Sequence, residues 1–474
     1  MVKAAKMSKN NKNQTKSYER GPSLLRETVS RSLASARMMQ KMSQEELAEK
    51  VGTGKSSISR IEKGDQNITL DYVAAMSEAL GKTVSFVMED QKIEYGDDTE
   101  YSLRLYDEEL MRFRLKRGPE LECEITYINE KRRDMLPIEL DVTEKGVLDW
   151  LEQRIIPQNR ELVIEILDSL DLNINDLKGI IDTCMGLSLN DSYWVTNVGF
   201  TGSFDDYNLF ENRFSNALSL VAYTGIAHDT RDFRTSPELT TQGMLRKAWR
   251  FSTTKGVWLY KGGTDGFANA GNEPYCEYYA SQVAQRMGIN AVRYELENWK
   301  GILASKCKLF TDKDTSYIPI GRIVRKGGIS ECLEYYRGLG ERFYDELCDM
   351  LVFDAVIVNE DRHYGNFGIM RDNHTGEIVA PAPVFDNGLS LLCYGMKSDF
   401  DKIESYIATR TNPYGRDNQY FDLCRRIMGP RQKKMLRRLI GFRFTESDIS
   451  NLPSWRLRAL EDMIQDRIGI LLAM

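Results

Sequence analysis

The sequence predicts a multidomain α+β protein, in which an all-α domain precedes a larger unit with a mixed lobe and a helical lobe. Three observations predict this fold class. Two short helical segments separated by glycines lie within residues 43–64, strand-like stretches with alternating apolar residues lie within 101–128, and apolar residues recur at helical spacing within 420–472. At 474 residues and 42% apolar composition, the chain is long enough for two or three hydrophobic cores.

Composition is typical of a cytoplasmic globular protein. No apolar run approaches the roughly 18 residues that span a membrane, and no signal-peptide core follows the basic N-terminal residues. The eight cysteines include no Cys-x-x-Cys pair, and three histidines are too few for a histidine-rich metal site. We therefore expect reduced thiols, a cytoplasmic location and no membrane partner.

Residues 43–64 have the signals of two consecutive short helices. Ser43 caps the first helix, and Gly52 and Gly64 end the two helices. The apolar residues expected on the inside of the pair are Leu47, Ala48, Val51, Ile58 and Ile61. From about Leu24 to Leu80 the pattern closely resembles the helix-turn-helix domain of the Cro/repressor (XRE-type) class.

That resemblance implies that the second helix of the pair enters the major groove of DNA. The residues expected at bases or phosphates are Lys55, Ser56, Ser57 and Arg60, with Gln44 near a phosphate at the start of the first helix. The charge distribution agrees, because residues 1–88 carry 15 Lys and Arg against 9 Asp and Glu, whereas the remainder carries 49 against 61. The expected partner is palindromic operator DNA bound by a homodimer.

Two short segments in the second half carry the residue types of phosphoryl transfer. Residues 359–366 contain Asp361 and Asn366, which have the five-residue offset of the catalytic aspartate and the metal-binding asparagine in protein kinases. Asp386 follows a hairpin pattern that returns it toward Asn366. We expect Asp361, Asn366 and Asp386 to be catalytic, with Asn366 and Asp386 as ligands of Mg2+.

The preceding residues fit a nucleotide-binding lobe. Residues 257–261 predict a strand that ends in Lys261, which would present its ammonium to nucleotide phosphates. A helix follows at residues 272–287. Glu273 and Glu277 share a face of this helix, and the sequence leaves open which of them pairs with Lys261.

Five segments occur in the order found in HipA-type serine/threonine kinases, and this part of the chain resembles that family. They are the loop at residues 240–247, the strand end at Lys261, the helix start at 272–276, the loop at 359–366 and the turn at Asp386. The resemblance implies that Gly243 and Lys247 belong to the nucleotide loop, that Lys261 contacts ATP phosphates, and that Asp361 is the catalytic aspartate. Thr240 falls where the family carries an autophosphorylated serine, in a loop with fewer glycines than the family pattern.

These patterns predict six consecutive regions with a protein-kinase-like, bilobal arrangement in the second half. They are a disordered basic arm (1–20), a helix-turn-helix domain (21–88), a linker (89–100), an N-terminal subdomain of the HipA-like region (101–230), a nucleotide-binding N-lobe (231–325) and a catalytic helical C-lobe (326–474).

The predicted function is ATP- and Mg2+-dependent phosphorylation of serine or threonine hydroxyls on a protein substrate, by a phosphotransferase fused to a DNA-binding module. In the resembled family, a kinase toxin and a DNA-binding antitoxin, often on a separate chain, form toxin–antitoxin systems. Two alternatives stay open. A transcriptional regulator whose kinase-like half only senses nucleotide could dispense with Asp361, and a small-molecule or lipid kinase would share the Asp-x4-Asn pattern.

Overall fold

A computed structural model describes residues 21–40, 42–82, 84, 98–226, 236–266 and 269–474. The chain divides into two compact units, Met1–Glu94 and Tyr95–Met474. The predicted basic arm and residues 89–97 of the predicted linker lie outside the described residues. The last three residues of that linker, 98–100, belong to the first strand of the second unit.

The first unit is helical, as predicted. Its helices are α1 (Gly21–Met39), α2 (Gln44–Val51), α3 (Lys55–Glu62) and α4 (Leu70–Ala79). Ser43 and Glu46 form a reciprocal capping box at the start of α2, and Gly52 ends that helix in the left-handed conformation. The core consists of Leu33, Leu47, Ala48, Ile58, Ile61, Met76 and Leu80, with Val51 packed against it.

The second unit begins with an antiparallel sheet in the order β3-β2-β1-β4. Its strands are β1 (Asp98–Leu105), β2 (Glu108–Arg117), β3 (Leu121–Ile128) and β4 (Tyr193–Asn197). The helices of this part are α5 (Glu144–Glu152), α6 (Val163–Asp168), α7 (Leu177–Cys184), α8 (Phe204–Tyr207) and α9 (Asn216–Thr224), with 3-10 turns at Glu130–Met135 and Pro237–Leu239. The strand-like stretches predicted within residues 101–128 correspond to the first three strands, which pair antiparallel in chain order, and β4 is an addition.

A second antiparallel sheet has the order β5-β6-β8-β7. Its strands are β5 (Lys247–Ser252), β6 (Gly256–Gly262), β7 (Tyr294–Trp299) and β8 (Ile302–Lys308). Between β6 and β7 the chain forms α10 (Glu273–Met287), which has a proline in its first turn and ends at the left-handed Gly288. This sheet and α10 carry Lys247, Lys261 and Glu277.

The rest of the chain is mainly helical, as the sequence predicted for the C-lobe. A small sheet of β9 (Thr315–Pro319), β10 (Gly368–Asp372) and β11 (Ile378–Pro381) lies within it. The remaining elements are α11 (Ile320–Ile323), α12 (Gly328–Leu339), α13 (Glu341–Ile357), α14 (Lys397–Phe400), α15 (Ile403–Ala408), β12 (Thr411–Asn412), β13 (Gly415–Arg416), α16 (Asp417–Ile427), α17 (Pro430–Arg437) and α18 (Ser454–Ala473). Helix α13 is buried along its second half and ends just before residues 359–366.

Two further properties concern the described residues. None of the helices in the described ranges is long and apolar enough to cross a bilayer. All eight cysteines are free thiols with buried side chains.

Candidate functional site

Lys261 lies between two carboxylates. Its ammonium is 2.8 Å from Glu277 Oε1 on α10 and 2.7 Å from Asp386 Oδ1. The ammonium and the Glu277 carboxylate are largely buried, with 12% and 2% of their side chains exposed. Although burial disfavours a charged ammonium, the two carboxylates raise the pKa of Lys261 well above its ordinary value. Lys261 is therefore a fixed positive charge at the end of its strand.

The sequence left open whether Glu273 or Glu277 pairs with Lys261, and in the structure the partner is Glu277. Glu273 Oε1 instead accepts hydrogen bonds from the Thr264 hydroxyl at 2.6 Å and the Tyr394 hydroxyl at 2.6 Å. Its other oxygen accepts a bond from the Thr264 backbone N–H at 3.2 Å. Glu273 thus fastens the chain after β6 to the segment that follows Asp386.

The turn at Asp386 is held on several sides. Asp386 has a left-handed backbone conformation, with φ of 58°, which is uncommon for a residue other than glycine. Its N–H donates to the Tyr294 hydroxyl at 3.1 Å, and the Asn387 N–H donates to Glu277 Oε2 at 2.8 Å. Burial opposes ionisation of Asp386, but the Lys261 and Lys247 ammoniums outweigh it and hold the pKa of this carboxyl well below its usual range.

Asp361 and Asn366 lie on one tight loop at the end of α13. Val358 reverses the chain in the left-handed conformation, and the Asn359 amide donates to Asp354 Oδ1 at 3.0 Å. The Asp361 N–H donates to Asn359 Oδ1 at 3.0 Å, and the Asn366 side-chain amide donates to the Asp361 carbonyl at 2.9 Å. These bonds orient Asn366 through its nitrogen, so its side-chain oxygen stays available to a ligand.

The Asp361 carboxyl is electrostatically linked to the rest of the site. Burial raises its pKa above the ordinary value, and the Asp386 carboxylate adds to this shift, whereas the His363 imidazole opposes it. A carboxyl with a raised pKa is a stronger base than an ordinary aspartate. The Lys261 ammonium also acts on the Asp361 carboxyl and lowers its pKa, in opposition to burial and Asp386.

Arg362 is a site residue that the sequence analysis missed. It is fully buried, forms a bidentate ion pair with Asp354 at 2.9 and 3.0 Å, and donates to the Asn366 carbonyl at 3.1 Å. It also donates to the Phe385 carbonyl and to Asn387 Oδ1. Its position directly after Asp361 was a signal, but two of its acceptors lie on Phe385 and Asn387, more than 20 residues away in sequence, and residue patterns do not reveal such contacts.

The loop at residues 240–247 packs closely around a second lysine. Lys247 lies opposite Lys261 in the β5–β6 register, so both side chains leave the same face of the sheet. The Lys247 ammonium donates to the Gln242 carbonyl at 2.9 Å. Gly243 has φ of 93°, a backbone conformation that favours glycine, and a Cβ there would also displace the end of the Lys247 side chain, because it would lie 2.3 Å from Nζ. Burial and the Lys261 ammonium lower the pKa of Lys247 to about 7.

Thr240 lies inside the folded loop. The residue is 5% exposed, and its hydroxyl donates to the Pro237 carbonyl at 3.3 Å. The loop is fastened from outside by the Gln242 amide, which donates to the carbonyls of Gln153 and Ile155 at 3.1 and 2.9 Å. A phosphoryl donor can reach the Thr240 hydroxyl only after this loop opens.

The residues of the site fit a magnesium ion that arrives with a nucleotide. Amide and carboxylate oxygens are hard ligands, and Mg2+ in phosphotransferases commonly takes one or two protein oxygens and completes its shell with phosphates and water. Asn366 and Asp386 supply such oxygens. Within the described residues no cluster of three or more His, Cys, Asp or Glu could hold a metal ion by itself.

The predicted DNA-contacting residues lie along α2 and α3. Lys55, Ser56 and Arg60 are exposed and Ser57 is half-buried. Lys55 forms an exposed ion pair with Glu45 at 3.3 Å. The Gln44 amide, predicted near a phosphate, donates to Glu62 Oε2 at 2.8 Å.

The chain was compared with known protein sequences and with solved structures. A search of curated protein sequences finds no significant match. Among solved structures, the Helicobacter pylori proinflammatory kinase CtkA aligns at 18% identity and a TM-score of 0.37, covering 48% of this chain and 93% of CtkA. A Shewanella oneidensis MR-1 toxin–antitoxin complex of HipA, HipB and operator DNA aligns at 10% identity and a TM-score of 0.49, covering 79% of this chain and 99% of that one. At these levels neither similarity assigns a role to any residue.

The first unit has a direct sequence match. Residues 33–87 match the sequence model of the helix-turn-helix family HTH_3. The match includes α2, the Gly52 turn and α3, which are the elements that the sequence analysis identified. The first unit therefore contains a helix-turn-helix domain.

Proposed function

We propose that this protein is an ATP-dependent serine/threonine protein kinase of HipA type with a fused DNA-binding module. One observation carries the proposal. A strand lysine, Lys261, is paired with a helix glutamate, Glu277, and with Asp386, in the same unit as the loop of Asp361 and Asn366. In protein kinases a lysine–glutamate ion pair, a metal-binding aspartate and a catalytic loop with this spacing form the phosphotransfer site.

Each residue has a physical role in this proposal. Asp361 accepts the proton of the attacking hydroxyl and orients its oxygen toward the terminal phosphate. Lys261 and Lys247 bind the phosphates through their ammoniums, in the loop that includes Gly243, and Glu277 holds Lys261 in place. Bound Mg2+ would neutralise phosphate charge at Asn366 and Asp386. Thr240 is the proposed autophosphorylation site, where a phosphate would place about −1.5 to −2 charges beside the nucleotide loop and block ATP binding.

The helix-turn-helix domain is the proposed regulatory module, which binds operator DNA. The exposed face of α3, with Lys55, Ser56, Ser57 and Arg60, would enter the major groove of a palindromic operator as part of a homodimer. Gln44 would reach a phosphate by leaving Glu62. The combination corresponds to a cytoplasmic toxin–antitoxin-like regulator in which one chain carries both the kinase and the operator-binding function.

Transfer from γ-labelled ATP and Mg2+ to a cell extract tests this proposal. The proposal predicts label on serine or threonine of protein in the extract, and no label when Asp361→Ala replaces the wild type. Label in the small-molecule or lipid fraction would identify a kinase of another class. Nucleotide binding without any transfer would instead identify a nucleotide-sensing regulator.

A further inference from the structure

Arg362 has an unusual position for a charged side chain. Its exposure is 0%, and the Asp354 carboxylate that neutralises it is 1% exposed. Taking both charges out of water is costly, and the cost is recovered only where the geometry is good and the remaining donors are satisfied. Arg362 meets that condition, because its guanidinium also reaches three oxygen acceptors outside Asp354.

Those acceptors belong to the two segments that carry the candidate metal ligands. One is the carbonyl of Asn366 itself. The other two flank Asp386, namely the carbonyl of Phe385 and the side-chain oxygen of Asn387. A single planar group thus bonds to Asn366 and to both neighbours of Asp386. Because the guanidinium is rigid, it fixes the distance between these two segments.

The ion pair anchors this group to the helical lobe. Asp354 lies on the buried part of α13 and also accepts a bond from the Asn359 amide. The helix, the loop of Asp361 and the turn of Asp386 therefore share one hydrogen-bonded centre. The Asp386 carboxylate itself is bonded to Lys261 and makes no contact with Arg362 in the described hydrogen bonds, so Arg362 acts on it through the two neighbouring residues, Phe385 and Asn387.

We propose that Arg362 is a positioning residue that sets the separation of the two magnesium ligands, Asn366 and Asp386. This role requires the planar guanidinium of arginine, and a positive charge alone is not sufficient. A lysine could neutralise Asp354 but could not bond to both segments at once. The inference rests on the metal site of the proposed function, and it goes beyond that function by naming the group that assembles the site.

Nucleotide binding with and without the metal tests the inference without any need for catalysis. The affinity of a non-hydrolysable ATP analogue is measured by calorimetry in Mg2+ and in EDTA, for wild type and Arg362→Lys. Wild type should bind the analogue more tightly in Mg2+ than in EDTA. We call the ratio of these two affinities the magnesium advantage. In Arg362→Lys that advantage should fall by about 10-fold or more, because residues that orient metal ligands commonly contribute 10- to 100-fold to metal affinity. Affinity in EDTA should change less than about twofold, since Lys261 and Lys247 are untouched.

Two further variants separate positioning from stability. Arg154→Lys is a matched control, because Arg154 is also buried, forms a bidentate pair with Asp191 at 2.7 and 2.9 Å and donates to backbone carbonyls, but lies in the N-terminal part of the unit. The double variant D354L/R362M removes both charges, a replacement that is often tolerated by a fold. It should lose the magnesium advantage, whereas Arg154→Lys should keep it.

Different results would contradict the role of Arg362, the metal site and the proposed kinase function. If Arg362→Lys or the folded double variant keeps the wild-type magnesium advantage, or if affinity falls equally in Mg2+ and EDTA, Arg362 does not position the metal ligands. If wild type itself shows no magnesium advantage, both the metal site and this inference are wrong. If the advantage is present and sensitive to Arg362 but no phosphate is transferred, only the proposed function fails.

Discussion

The chemistry of this molecule depends on a few charges held at short distances. Lys261 is neutralised by Glu277 and Asp386, and Lys247 lies beside it with a pKa of about 7. A triphosphate that enters this site brings negative charge to both ammoniums. We therefore expect Lys261 to stay charged throughout, whereas Lys247 changes its protonation state as the nucleotide binds.

A proton uptake by Lys247 is the first prediction. Below pH 7 the ammonium is already charged, and above pH 7 it is mainly neutral until bound phosphate raises its pKa. The groups that influence it are Lys261, Asp386, Arg160 and Glu238. Calorimetry of ATP-analogue binding at pH 8, in two buffers of different ionisation enthalpy, should show proton uptake in wild type. The uptake should be absent in Lys247→Arg, and equal uptake in both proteins would contradict the assignment.

Sequence patterns predicted some of the residue contacts and not others. The Asp361–Asn366 offset predicted one loop, because five residues cannot extend far, and that loop is present. Helical periodicity put Glu273 and Glu277 on one face but could not select between them, since the choice depends on where Thr264 and Tyr394 lie. Arg362 was missed because burial of a charge is visible only in three dimensions.

The loop at residues 240–247 combines the proposed phosphate acceptor, Thr240, with a closed conformation. Thr240 is buried, whereas the neighbouring Thr241 is partly exposed and bonds through its hydroxyl to Pro237 and Trp249. Opening the loop breaks the Gln242 contacts with Gln153 and Ile155. Autophosphorylation should therefore be slow and limited by loop opening.

Mass spectrometry after incubation with ATP and Mg2+ tests the acceptor. We expect phosphate on Thr240 in wild type and in the control Thr241→Ala, and none on the loop in Thr240→Ala. Gln242→Ala should accelerate the modification, because it removes two hydrogen bonds that hold the loop closed. Phosphate on Thr241 instead of Thr240 would show that the loop opens in another way.

The elements that periodicity predicted have buried residues at regular spacing. Helix α18 covers the last part of the helical pattern predicted within residues 420–472, and buried residues alternate with more exposed ones along much of β2 and β3. Strand β4 was not predicted because its first four residues, 193–196, are all buried, so it has no alternation. The resemblance-based region boundaries inside the second unit stay predictions.

At the scale of the whole molecule, the chain has two units with separate cores. The core of the first unit includes Leu47 and Ile58, and the largest core of the second includes Leu351 and Ile464, with no residue in common. A ligand stabilises only the unit that binds it. In calorimetric unfolding we expect an operator duplex to raise the transition of the first unit and an ATP analogue to raise that of the second. A single transition shifted by either ligand would contradict independent units.

Substitution of Asp361 tests whether the residues around Lys261 form a working phosphotransfer site. ATP binding and label transfer are measured in parallel for wild type, Asp361→Asn and the exposed control Asp401→Asn. We predict that Asp361→Asn binds ATP within about twofold of wild type but transfers phosphate about 100- to 10,000-fold more slowly, the range for loss of a general base. Transfer at the wild-type rate in Asp361→Asn would contradict the account.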